Sequence, residues 1–220
     1  MKYIILWILF GPLFPENHYN AMENAGCNNE TVSRIQKPGT SVKAFQNDFL
    51  LDELLRFDSY KELKKVFGEN VIMSRQYYPD EIGGMGVYQN TLLFPGTKNQ
   101  VEFVWLDDSI NFNGLAYINL VWRETDWRTS EGITLGTSLK QLEAYNKKPF
   151  TFYGFGWEGR GATNWQEGRL FNRKIFVSLE LAADYIPPEF EQLIGDHVIR
   201  SDSELAQKSN PIVWQITMKR

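Results

Sequence analysis

The chain has 220 residues, a formal net charge of −4 and a sequence pI near 5.3. This balance lacks the positive charge that dominates nucleic-acid binding, so no nucleic-acid partner is predicted. With two histidines and one cysteine, the chain cannot form an internal disulfide or supply the usual ligands of a zinc site. No metal or other cofactor is predicted.

Residues 1–26 have the form of a secretory signal, because Lys2 precedes a mostly apolar run over residues 3–14. The run is too short to span a bilayer comfortably. This signal-like segment predicts that the protein is exported, to the periplasm or the outer membrane. Ala25 and Gly26 before Cys27 resemble the end of a lipoprotein signal, which leaves two alternatives: a lipid tether at Cys27, or an unmodified thiol. Residues 27–44 are predicted to form a flexible lead-in.

Residues 45–126 are predicted to form a first α+β unit. Ser59 and Glu62 have the spacing of a capping box, and the short helix that they begin should end at Gly68. Alternating apolar residues then predict four strands, at residues 71–78, 87–94, 100–105 and 115–122.

Residues 127–220 are predicted to form a second unit of the same kind. Ser138 and Gln141 make another capping box, and Pro149 should stop the helix. Strands are expected at residues 150–155, 163–165, 174–181 and 212–218, with a long insertion at 182–210 that has two short helical segments. Because both halves share this order, the sequence predicts two tandem units, each a helix packed on an antiparallel sheet of about four strands.

Residues 154–159 satisfy the dinucleotide-binding pattern GxGxxG literally, but the context rejects that function. The third glycine should open a helix within a parallel βαβ unit, and neither feature follows here. The glycines are better explained by bulges, positive φ angles or close backbone approach.

Catalytic groups are scarce in the predicted folded region. His197 is its one histidine, and no recognisable nucleophile stands near it. The sequence therefore favours a non-catalytic binding protein over an enzyme. The alternative is a carboxylate-based hydrolase acting on glycans, with Asp107, Asp108 and Glu158 as its nominal candidates.

The cluster most typical of a site is formed by Trp157, Glu158, Arg160 and Trp165. Aromatic faces with flanking charges suit the recognition of a protein or a glycan, and tryptophan and arginine often dominate binding energy. These four residues are predicted to contact a partner in the cell envelope. The alternative is that the tryptophan rings pack in the core.

Residues 132–157, GITLGTSLKQLEAYNKKPFTFYGFGW, resemble a signature of bacterial envelope proteins of uncharacterised activity. The segments 37–42 and 63–68 fit the same pattern, so the resemblance covers most of residues 35–181. More remotely, the repeated helix and antiparallel strands are similar to the beta-lactamase inhibitor protein fold and to the small lipoproteins of outer-membrane assembly. This chain lacks the cysteines that the inhibitor proteins carry inside their repeats. The resemblance implies a binding or scaffolding role.

Overall fold

The structure is a computed structural model that describes residues 49–79, 85–107, 112–121, 124–157, 159–182 and 187–220. The predicted signal at 1–26, Cys27, the lead-in and Glu158 lie outside these ranges. The described chain is an α+β protein with a six-stranded antiparallel sheet, a three-stranded antiparallel sheet and short helices. That fold class confirms the prediction. None of the helices within these ranges has the length and apolar character needed to cross a bilayer.

The helices are short, and most of the strands match the predicted ones. The α-helices are α1 (Leu51–Leu54), α2 (Tyr60–Phe67), α3 (Leu139–Asn146) and α4 (Glu204–Ser209), and 3-10 turns occupy Gly68–Asn70 and Pro188–Leu193. The strands are β1 (Val71–Pro79), β2 (Met85–Leu93), β3 (Val101–Asp107), β4 (Asn113–Val121), β5 (Thr151–Tyr153), β6 (Thr163–Asn164), β7 (Ile175–Glu180), β8 (Val198–Arg200) and β9 (Ile212–Lys219). Strand β8 lies in the insertion and was not predicted.

Both capped helices begin where the sequence indicates. At Ser138 the box is complete, since its hydroxyl accepts from the Gln141 amide and the Gln141 side chain accepts from the Ser138 amide. At Ser59 the hydroxyl caps the Glu62 amide, while the Glu62 carboxylate accepts from the amide of Asp58. Free backbone N–H groups of the first turn are thereby satisfied in both helices.

The six-stranded sheet has the order β1-β2-β3-β4-β9-β7. It takes four strands from the first predicted half and two from the second, so the predicted boundary at 126/127 does not separate two sheets. The smaller sheet has the order β6-β5-β8. An antiparallel bridge between Ala162 and Ser178 joins β6 to β7, next to a 2.9 Å hydrogen bond from the Leu179 amide to the Gly161 carbonyl.

Gly154 and Gly161 are required by close backbone approach, as the sequence suggested for this glycine run. A Cβ on Gly161, which has a φ of +68°, would lie 1.9 Å from the Leu179 carbonyl oxygen. A Cβ on Gly154 would lie 2.4 Å from the Gly195 carbonyl oxygen. No other residue type fits either position without backbone movement.

The two faces of the six-stranded sheet differ in burial. On one face most of the apolar side chains are buried together with those of α2 and α3, and this cluster includes Phe103, Ile118, Val177 and Ile216, whereas Met73 and Val87 of β1 and β2 are exposed on that face. The opposite side we call the open face. Its apolar strand residues within the described ranges include Ile72, Leu92, Val104, Leu106, Val121 and Phe176, and each of these is at least partly exposed. Since strand residues alternate between faces, the register assigns each of them unambiguously.

Candidate binding surface

One row of directly paired residues crosses the open face from edge to edge. In the order β1 to β7 it consists of Ile72, Leu92, Glu102, Asn119, Thr217 and Phe176. Side chains at directly opposed positions are within contact range of one another. The row is therefore a stripe with apolar ends and a polar centre.

Glu102 organises the polar centre. Its carboxylate accepts hydrogen bonds from the Tyr88 hydroxyl at 3.0 Å, from the Asn90 side-chain amide, and from the Asn119 side-chain amide at 3.1 Å. These donors come from the strands on either side of β3. We call Tyr88, Asn90, Glu102, Tyr117 and Asn119 the Glu102 cluster.

The hydrogen bonding continues from this cluster onto β9. The Asn119 side-chain oxygen accepts from the Gln215 amide at 2.9 Å and from the Thr217 hydroxyl at 3.0 Å. Four adjacent strands, β2, β3, β4 and β9, are thus linked by side chains on the open face. A connected network of this kind fixes side-chain positions and limits rearrangement of the surface.

Within the described chain, two groups of the cluster lack a partner: the Glu102 carboxylate has no cation, and the Asn90 side-chain oxygen has no hydrogen-bond donor. No lysine, arginine or histidine of those residues forms an ion pair with Glu102. The Asn90 side-chain oxygen has no hydrogen-bond partner, although Asn90 is only 1% exposed. A buried acceptor without a donor costs free energy, so this oxygen favours any group that brings one.

The two tyrosines of the cluster are held in their neutral form. Burial, followed by the negative charge of Glu102, raises the pKa of the Tyr88 phenol above its ordinary value. Burial also raises the pKa of the Tyr117 phenol, against a lowering by its hydrogen bond with Tyr88. Both phenols stay protonated and uncharged at neutral pH.

The structure separates the four residues that the sequence proposed as contacts. Trp157 is 60% exposed, and its carbonyl accepts from the Arg160 amide at 3.0 Å. The Arg160 guanidinium lies 4.9 Å from the centre of the Trp214 ring. Trp214 and Gln215 lie on the open side of β9, because the flanking Val213 and Ile216 are both buried. The turn with Trp157 and Arg160 therefore borders the open face.

Trp165 lies in the core. It is 4% exposed, its indole N–H donates to the Ile175 carbonyl at 2.6 Å, and its ring meets Phe150 edge to face at 5.2 Å. This position does not suit contact with a partner, and Trp165 takes no part in the surface proposed below. Glu158 lies outside the described residues, so its proposed contact stays a prediction.

Among the described residues of the open face, the acids Glu102 and Glu180 are too far apart for paired-carboxylate chemistry. Glu180 lies on β7, three strands away from Glu102 across the sheet. It also lies four residues beyond Phe176, which is the residue of β7 that belongs to the row. With ordinary strand spacing and rise, the two carboxyl groups are separated by roughly 20 Å. Glycoside hydrolysis needs a separation of roughly 5 to 10 Å. The candidates named from the sequence are different residues: Asp107 ends β3, and Asp108 and Glu158 are outside the described ranges, so the hydrolase alternative is not tested.

Other polar groups in the part of the chain that the structure describes do not form a second site of comparable definition. His197 is exposed, with its Nε2 3.0 Å from the Gln192 carbonyl oxygen. No group of three or more metal-binding side chains occurs among the residues that the structure describes. A shallow depression of about 250 Å³ lies by β5 and β8, but its Arg200 is already engaged by both carboxylate oxygens of Asp202.

Comparison with known proteins gives no relative: no family model, curated protein or solved structure matches the chain. The geometry of the site is therefore the basis for assigning a function.

Sequence reasoning missed the Glu102 cluster. The alternation of β3 does place Glu102 on the polar side of its strand, which was a usable signal. The partners of Glu102 were not predictable, because Asn119 comes beside it through the register of β3 with β4.

Proposed function

We propose that this protein is an exported, non-catalytic binding or interaction protein of the bacterial cell envelope, and that it holds a protein or a glycan against its open face. The observation that carries the proposal is the composition of that face. The solvated side of an antiparallel sheet is ordinarily polar. Here it has apolar side chains at both ends of the row and a fixed polar cluster between them.

The exposure of these side chains supports recognition. Leu106 is 79% exposed and Ile72 is 42% exposed, and Phe176 is half-buried at the opposite edge strand. Interfaces combine such apolar anchors with polar groups that fix orientation. The distance between Glu102 and Glu180 counts against a catalytic carboxylate pair formed by these two residues on the open face.

The proposal includes the two-unit organisation predicted from the sequence, residues 45–126 and 127–220. Both N-cap serines make the same contact: Ser59 bridges to Asn113 at the start of β4, and Ser138 bridges to Ile212 at the start of β9. The two strands so contacted then pair with each other, antiparallel, within the sheet. Equivalent positions of two related halves, placed about a local twofold axis, would meet in this way.

A matching irregularity supports the same organisation. One extra residue, Ala116, bulges from β4 between the positions that pair with Val104 and Trp105. One extra residue, Trp214, bulges from β9 between the positions that pair with Ser178 and Leu179. Bulges persist within families as designed features, so a bulge near the start of both strands favours duplication over coincidence.

Export is proposed from Lys2 and the apolar run after it. Mass spectrometry of the mature N-terminus, with fractionation of producing cells, should find either cleavage of the signal or a lipid on Cys27. An intact Met1 in the cytoplasmic fraction would contradict export.

The binding role is tested by a pull-down from cell-envelope extract with the full chain and two matched variants. Leu106→Lys places a charge on the open face, whereas Phe171→Lys makes the same change at a 55% exposed residue in the loop before β7. We expect Leu106→Lys to lose a partner that Phe171→Lys retains. Equal recovery with both folded variants would refute the open face as the binding surface.

A further inference from the structure

We propose that the Glu102 cluster receives the ammonium group of a lysine side chain, supplied by a polypeptide bound across the open face. This inference rests on the binding role proposed above, and it names the chemical group that the centre of the surface recognises. It is carried by the uncompensated carboxylate and the unpartnered acceptor beside it.

The charge of the cluster requires a cation. Glu102 is half-buried, its three donors are neutral, and no basic side chain of the described chain pairs with it. Removing a carboxylate from water without an opposite charge is costly. A bound cation supplies the missing charge at this one point of the face.

The free acceptors specify an ammonium group. A carboxylate offers about four lone-pair positions, and three of those on Glu102 are occupied. Oε1 already accepts from Tyr88 and Asn90, so the remaining position is on Oε2, and the unpartnered Asn90 oxygen lies beside the same carboxylate because the Asn90 amide nitrogen bonds to its Oε1. A compact ammonium with three rotatable donors can reach both, whereas a guanidinium spreads its five donors over a plane.

The surroundings suit a lysine stem within a polypeptide. Leu92 is the directly opposed neighbour of Glu102, and Ile72 continues the row outward. Lysine buries its methylene chain along such apolar surface while its charged end reaches a polar partner.

The test is an NMR titration of the full chain with Nα-acetyl-lysine methylamide and with its Nε-acetylated analogue, which lacks the charge. The readout is the side-chain amide signals of Asn90 and Asn119. We expect the lysine probe to shift both signals and the acetylated probe to shift neither. Equal shifts with the two probes, or no shift with either, would overturn the proposal without requiring any variant.

Two matched variants locate the site. Glu102→Gln should weaken binding of the lysine probe by about tenfold or more, since a charged hydrogen-bond partner is lost. Glu180→Gln removes an exposed carboxylate from the same face and should leave the affinity unchanged. Unchanged affinity in a folded Glu102→Gln, shown by its dichroism spectrum, would place the ammonium elsewhere and refute the assignment.

The source of the ammonium and the binding role are tested separately. A leucine-lysine-leucine peptide should bind more tightly than butylammonium, because only the peptide can also cover the apolar row. Equal affinities would refute a polypeptide source. If Leu106→Lys abolishes recovery of the envelope partner while the lysine probe fails to bind, the binding role stands and the lysine inference fails.

Discussion

Replacing Gly161 by alanine tests the junction between the two sheets. The new Cβ would lie 1.9 Å from the carbonyl oxygen and 2.5 Å from the amide nitrogen of Leu179, so the backbone must move. The movement would weaken the hydrogen bond between Gly161 and Leu179 and the neighbouring bridge between Ala162 and Ser178.

Gly96 is a matched control for the loss of unfolding free energy expected in Gly161→Ala. Gly96 has a φ of +72°, close to the +68° of Gly161, but its Cβ would meet nothing within 4 Å. Gly96→Ala should therefore cost only left-handed strain, about 1 kcal/mol after the gain from a stiffer unfolded chain. Gly161→Ala adds a backbone clash and weakened hydrogen bonds, for a total of roughly 3 to 5 kcal/mol.

Urea unfolding of both variants measures these costs, and thermal melting gives a second reading. For a chain of this length, about 4 kcal/mol corresponds to a fall in Tm of roughly 8 to 16 °C. If Gly161→Ala is no less stable than Gly96→Ala, the close approach of β6 to β7 is wrong.

Three further predictions concern stability. Trp165→Ala should lower the free energy of unfolding by roughly 3 to 5 kcal/mol because it empties a core position, whereas Trp157→Ala, at an exposed position, should change it by about 0.5 kcal/mol or less. Similar losses of unfolding free energy for the two variants, measured by urea unfolding, would contradict these placements. The tyrosines of the unfolded chain lose their protons near the ordinary pKa of about 10, whereas Tyr88 of the folded chain keeps its proton to higher pH because its pKa is raised. The neutral phenol therefore stabilises the folded chain fully below about pH 10, and this stabilisation is lost as the pH rises above that value. Urea unfolding between pH 8 and 11 should therefore show a shallower alkaline decline in Tyr88→Phe, and identical slopes would refute the raised pKa. Ser138→Ala should cost about 1 kcal/mol by removing the helix cap, and an unchanged urea midpoint would show that the cap contributes nothing.

The sequence by itself determined the local elements. The helices after Ser59 and Ser138 begin at the predicted residues, because a cap depends on groups three positions apart in the chain. The alternation of Val101, Phe103 and Trp105 likewise places one side of β3 in the core. Such signals are complete within a few residues, so they can be interpreted before any tertiary contact is known.

Only the tertiary structure decided which distant residues meet. Nothing in the alternation of β9 indicates that it lies between β4 and β7, and that placement brings Thr217 to Asn119 and completes the row. Trp127 stands in a polar stretch of the sequence, yet its ring is 1% exposed and its indole N–H donates to the Asn99 carbonyl at 2.9 Å. Sheet register and core packing follow from the summed burial of residues far apart in sequence, and no local pattern encodes that sum.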